Sequence, residues 1–269
     1  FQEPNYFSLG SNFLNEVLRG VCTECVDQGL DLLLHTRRSV GWHDEADALS
    51  DGRVDGVLIL RDQDDDTLLA LAQRNFPMVL FFSRSDDPAI SYVDCDNVAG
   101  GRIAAEHLLG LGHRRLGLVV GRQGSVDSMD RQKGFQSVVA KHPDAQVIGS
   151  VELQGPSASP EELVALLSSE NRPTALFVWS DDVAFKCMKV AQDLNLRVPE
   201  DLSIVGFDST PACEMSHPPL TSVGQPVEEM ARTATKFLAH LVSKKGSGAR
   251  QHVFAPRLDV RSSTARYQP

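Results

Sequence analysis

The side chains able to do chemistry are scattered along this chain singly, not gathered into a catalytic motif. There is no G-x-S-x-G elbow, no H-E-x-x-H pair and no G-x-x-x-x-G-K-[ST] loop. Gly100-Gly101 lacks the G-x-G-x-x-G spacing that lets a backbone approach a pyrophosphate. Glu106-His107 and His113 fit no metal-ligand spacing, and Asp62, Asp64, Asp65 and Asp66 lack the glycine and distal glutamate of a calcium loop. Cys22-x-x-Cys25 has no second pair to complete a zinc site and reads as part of an amphipathic helix. The expectation is a protein without catalysis, metal or cofactor.

What remains suits recognition of a small polar molecule. Carboxylates accept from vicinal hydroxyls, an arginine fork donates to ring or hydroxyl oxygens, and aromatic rings cover an apolar face. Asp208, Asp181, Arg131, Trp179 and Phe13 are the candidates. Three have an alternative role: Trp179 as core filler at a strand end, Asp181 as a helix cap, and Arg131 as a solvated helix residue. Asp208 is the hardest to assign otherwise, because it directly follows an apolar strand.

These residues must be positioned by elements, and the elements alternate. Short β-branched or leucine-rich runs at 30–34, 54–60, 78–82, 90–93, 116–120, 147–153, 175–179 and 203–207 predict strands. Amphipathic stretches at 12–28, 65–75, 98–111, 127–141, 160–170 and 183–194 predict helices between most of them. A long helix over 227–243 and a last strand over 252–260 follow. Continuous apolar strands alternating with helices predict an α/β fold with parallel sheets covered on both faces, and so many strands predict two doubly wound lobes. Gly112 closes one helix, Pro199 lies beyond another, and Ser159-Pro160-Glu161-Glu162 reads as a cap, first-turn proline and acids at a positive helix end. Parallel sheets bind ligands beyond the carboxyl ends of their strands. Those ends carry Thr36-Arg37-Arg38, Arg61-Asp62, Ser83-Arg84, Gly121-Arg122, Gln154-Gly155, Trp179-Ser180-Asp181-Asp182 and Asp208-Ser209.

Composition narrows the partners. The 269 residues carry 26 basic and 36 acidic side chains, a formal net charge of −10, which disfavours direct grip on nucleic acid. No apolar run approaches the roughly 18 residues of a membrane helix, and the first residues do not have the pattern of a signal peptide. Five cysteines, an odd number, argue against a disulfide framework and predict a reducing, cytoplasmic setting.

Several collinear stretches carry a family likeness: 54–59 (VDGVLI), 106–115 (EHLLGLGHRR), 198–208 (VPEDLSIVGFD) and 218–226 (PPLTSVGQP), with Arg131-x-x-Gly134-Phe135 and Val260-Arg261-Ser262-Ser263. Together they resemble the effector-binding domain of the LacI/GalR family of bacterial transcription regulators, over residues 11–264. The resemblance implies a periplasmic-binding-protein-like fold of two lobes around a ligand cleft, residues 1–95 with 227–254 and 96–226 with 255–269. The crossings fall near 94–97, 225–227 and 254–257. It also implies a homodimer, using the 183–194 helix and the 211–217 segment. It further implies a small effector, often a sugar, that shifts affinity for operator DNA, which the family holds through an N-terminal headpiece that this sequence does not include. The arginines at 37, 38, 84, 122 and 131 would also accept a sugar phosphate.

Carried over by position, the family's effector contacts fall on the loop before Phe13 and on Arg38, Ser83, Arg131, Ser180, Asp181, Asp208 and Gln225. Two departures bear on the ligand: Ser83 stands where many sugar-binding relatives have an acid, and Ser11-Asn12 where they have Asn-Pro. The family's first strand is missing or altered ahead of Ser11. The rivals are a solute-binding protein of an uptake transporter, which shares the fold class, and an enzyme on a doubly wound sheet.

Overall fold

The computed structural model describes residues 11–35, 42–60, 66–155, 158–243 and 248–268. The chain forms two compact units, Phe1–Cys95 with Pro226–Phe254, and Asp96–Gln225 with Ala255–Pro269, and so passes between them three times. Elements are numbered along the chain.

In the first unit, β1 (Val57–Ile59), β2 (Met78–Phe81), β3 (Ser91–Cys95) and β9 (Gln251–Phe254) form a parallel sheet in the order β1-β2-β3-β9. Alternation along β2 splits the core in two. Val79 and Phe81 face α1 (Asn12–Gln28) and α9 (Val227–Val242), whereas Met78 and Leu80 face α2 (Trp42–Leu49) and α3 (Asp66–Gln73). Ser11 caps α1 by accepting from the Leu14 amide, and Gly29, at φ 67°, closes its last turn. α1 and α9 pack so closely at Gly20 that a Cβ there would lie 2.5 Å from the Glu228 carbonyl oxygen.

The strand expected at 30–34 does not form. A strand exists through its ladder, and among the described residues β1 pairs only with β2. Leu30, Leu32, Leu33 and Leu34 stay 39 to 49% exposed. They line one wall of a cavity of about 660 Å³, whose other walls come from α1, α2, the segment leading into β1, β1 itself and α9. Helix α2 was not expected either; its sequence, WHDEADAL, has Trp42, Ala46 and Leu49 at helical spacing, but over only eight residues.

In the second unit, β4 (Arg115–Val120), β5 (Gln146–Glu152), β6 (Ala175–Val178), β7 (Ser203–Asp208), β8 (Thr221–Gly224) and β10 (Arg257–Asp259) form a sheet in the order β10-β8-β7-β6-β4-β5. All pairs are parallel except β10 with β8. α4 (Asn97–Gly110) and α5 (Val126–Val139) cover one face over Phe177, Val205 and Phe207, and α6 (Glu161–Leu167) and α7 (Asp181–Asp193) cover the other over Leu176, Val178 and Ile204. A short α8 (Ala212–Met215) follows β7.

Three expectations need correction here. The single strand over 252–260 is two, β9 in the first unit and β10 in the second, broken at Ala255-Pro256 where proline has no amide to donate. β8 was not expected as a strand. Ser159 does not cap α6, which begins at Glu161 after Pro160 with no side-chain cap bond.

The glycines at 101 and 134 are packing residues. A Cβ at Gly101 would meet the Arg131 carbonyl oxygen at 1.9 Å, and one at Gly134 would meet that of Val98 at 2.0 Å. Only glycine lets the α4 and α5 backbones meet this way. That approach sets Arg131 against the start of α4.

Candidate functional site

In the second unit, the parallel strands deliver their last residues to one rim. Trp179 follows β6, Asp208 ends β7 and Gln225 follows β8. Arg131, one turn into α5, is 5% exposed despite its charge. Its Nε donates to Asn97 Oδ1 at 2.8 Å and an Nη donates to the Trp179 carbonyl. The other Nη lies 3.3 Å from an Asp127 carboxylate oxygen, and the guanidinium sits 3.7 Å over the Phe207 ring centre. The solvated alternative for Arg131 is thus excluded by burial, and four elements fix its plane.

Asp208 is also buried, and its backbone is strained: φ is 112° at Asp208 and 52° at Ser209, both outside the usual range of non-glycine residues. Gln225 Nε2 donates to Asp208 Oδ1 at 2.7 Å. Loss of water pushes the Asp208 carboxyl well above its ordinary pKa; Arg131 pulls it back, while the charge of Asp181 adds to the rise. Ser209 Oγ donates to Asp259 Oδ2 at 2.7 Å, and a Cβ at Gly224 would lie 2.9 Å from that same oxygen.

Asp181 takes a role that neither sequence reading anticipated. It does not cap α7, whose N-cap is Ser180, and Ser180 makes no side-chain cap bond. The Asp181 carboxylate is 1% exposed and accepts from the Thr210 amide at 2.8 Å, Ser222 Oγ at 2.6 Å and Cys213 Sγ at 3.0 Å. Burial raises its pKa to about 6 against the pull of those donors. Asp181 is therefore a knot joining α7, α8 and β8. Trp179 is half-buried, with Nε1 donating to the Leu153 carbonyl at 2.9 Å, so its ring is held by the core while its own carbonyl serves Arg131.

In the first unit, Phe13 meets Phe82 edge-on at 4.8 Å, and Ser83 is 5% exposed. Phe82 has φ 53°, which turns the chain directly after β2 and sets Ser83 at the strand's carboxyl end. Arg38, Thr36-Arg37, Arg61-Asp62 and the loop ahead of Ser11 lie outside the described residues. Among the described residues no group of three metal-ligating side chains occurs, and no helix is long and apolar enough to cross a membrane.

Sequence reasoning missed Asn97, Phe207 and Asp259. Phe207 reads as plain core. Asn97 acquires its role only because Gly101 and Gly134 bring α4 onto α5.

The chain is similar in sequence and fold to known proteins. Residues 105–264 match the periplasmic binding protein-like domain family. The chain is 30% identical to the HTH-type transcriptional repressor PurR of Aliivibrio salmonicida, over 93% of this chain and 77% of that protein. A structure of the transcriptional regulator CelR in complex with cellobiose is 28% identical with a TM-score of 0.83, over 95% of this chain and 80% of that one. A dimeric Lac repressor, 22% identical, shares the fold with a TM-score of 0.86 over 97% of both chains. Relatives of this kind are regulators that sense effectors, which favours that role over transporter solute binding. The chain belongs to the LacI/GalR family of transcription regulators, and it is an effector-binding domain of that family.

Proposed function

We propose that the chain binds a small hydroxylated effector, a sugar or sugar derivative, and so governs operator binding by a DNA-reading segment outside these 269 residues. The buried Asp208–Gln225 pair beside Arg131 on the carboxyl rim of the second unit's sheet carries this reading. A carboxyl with an amide partner accepts and donates to vicinal hydroxyls, and Arg131 supplies fixed positive charge behind them. CelR, which is similar over nearly this whole chain, was solved with cellobiose. Phe13, Arg38 and Ser83, which the family resemblance assigns to the effector from the first unit, complete the proposed set with Trp179 and Ser180. Asp181 acts behind Ser222 and Thr210 without touching the ligand.

The function needs no bond-making. An effector with differential affinity for two arrangements of the regulator shifts their populations, and only that difference regulates. The proposed setting is the bacterial cytoplasm, and the proposed working unit is a homodimer. The α7 face supports the dimer: Phe185 and Met188 border a groove of about 750 Å³ with Leu196, Val198 and Pro218. Met215 on α8 is 71% exposed.

A melting-temperature screen over mono- and disaccharides, beginning with cellobiose, tests the reading. One saccharide is expected to raise the melting temperature strongly, because a ligand that binds only the native state stabilises it. Arg131→Ala and Asp208→Ala should each abolish that rise. Unchanged affinity in both variants would place the effector elsewhere.

A further inference from the structure

The chain leaves one compact unit for the other after Cys95, Gln225 and Phe254. Within the second unit, each of these crossings adjoins a side chain bonded to a candidate ligand-holding residue or to its immediate neighbour in the chain. Asn97, second residue past the first crossing, accepts from Arg131 Nε at 2.8 Å. Gln225, at the second crossing, donates to Asp208 at 2.7 Å. Asp259, on the strand that follows the third, accepts from Ser209 at 2.7 Å, next to Asp208.

We propose that Asn97, Gln225 and Asp259 are three tethers that carry occupancy of the Arg131–Asp208 site to the three crossings, with Asn97 and Asp259 acting as positioning residues. This rests on the effector-site reading above. The local chemistry makes each tether sensitive to the ligand. Each nitrogen of Arg131 has a protein partner, so a ligand oxygen that draws on the fork's remaining N–H groups pulls the guanidinium against its bonds to Asn97 and Trp179. Asp208 and Ser209 both stand at positive φ, so a small shift of the carboxyl turns the backbone that holds the Ser209 hydroxyl. Ser209 Oγ has little room to choose another partner: Arg261 donates to it at 3.1 Å, and its amide is bonded to Ser222 Oγ at 3.1 Å. Gly224 keeps the way open, since a Cβ there would crowd both Ser209 and Asp259. The three bonds leave the site on three different elements, α4, the end of β8 and β10.

Amide hydrogen exchange with and without the saccharide that raises the melting temperature, cellobiose first, reads the three crossings separately. Residues 95–98, 225–227 and 255–258 should each change protection by about fivefold or more on binding. Asn97→Ala should abolish the change at 95–98 alone, and Asp259→Ala at 255–258 alone, with Asp259→Asn as the milder variant if the first fails to fold. Such selectivity does not arise from general destabilisation, which would alter all three. Saccharide binding without changes at the crossings, or variants that lose all three or none, would overturn the tethers while leaving the effector site standing. If no saccharide of the panel binds, the effector reading falls and the tethers with it.

Discussion

Gln225 donates a single 2.7 Å hydrogen bond to Asp208, and the two residues lie 17 positions apart at the ends of adjacent strands. That bond and the charge of Arg131 are what hold a carboxylate in a place where burial disfavours its ionised form.

A pH dependence follows. Asp208 and Asp181 both have folded pKa values above their unfolded ones, so the stability they contribute is fully present below about pH 3.8 and is lost as pH rises, through about 6 for Asp181. Between pH 5 and 7 this share of stability therefore falls with rising pH. Asp208→Asn should flatten that slope and raise stability at pH 7 by about 1 kcal/mol, while abolishing effector binding. Urea titrations at pH 5 and pH 7 measure both values; an unchanged slope would contradict the assignment.

Glu24 predicts the opposite sign. Burial raises its pKa, but Gln28, Lys236 and Arg232 together pull it below the usual value. Its stability is present above about pH 4.5 and lost as pH falls through the folded value. The partners Arg232 and Lys236 are 33% and 53% exposed, so their attraction is partly screened. Glu24→Gln should cost about 1 kcal/mol at pH 7 and close to nothing near pH 3, by chemical denaturation.

The α4–α5 seam predicts an abrupt loss. Gly134→Ala would force a methyl into the Val98 carbonyl, which no side-chain rotation relieves. The expected cost is about 3 kcal/mol, with effector affinity reduced because Arg131 and Asn97 move apart. Gly110→Ala, where a Cβ meets nothing within 4 Å, is the control and should be harmless or stabilising.

The proposed dimer is open to sedimentation analysis. Met215→Glu places a charge on an exposed apolar tip beside α7. It should shift dimer to monomer without lowering the melting temperature of the isolated chain. A dimer of unchanged affinity would move the interface elsewhere.

Much of this fold was legible because buried parallel strands announce themselves. The runs at 116–120, 175–179 and 203–207 became β4, β6 and β7 within a residue or so, and Asp208 was identifiable as the polar residue that ends one of them. β8 was not legible, since Thr221 and Ser222 look like loop residues until their hydroxyls are spent on the Arg261 amide and Asp181. The run at 30–34 failed in the other direction: its composition suits a strand, but pairing is a property of neighbours and not of the segment. The bonds of Asp181 and Asn97 were not legible, because their partners Cys213, Ser222 and Arg131 lie more than 30 residues away in sequence. Burial at a strand end can be read locally, whereas a hydrogen-bond partner supplied by another helix cannot.

The leucines of 30–34 also bear on how this molecule behaves in concentrated solution. Among the described residues β1 has no strand partner on the side away from β2. Such a margin with four aliphatic side chains near it is a template for stray polypeptide, of which other molecules of the same kind are the most abundant source. Clumping during refolding or storage should therefore begin here, and Leu33→Lys should slow the growth of light scattering without disturbing saccharide recognition.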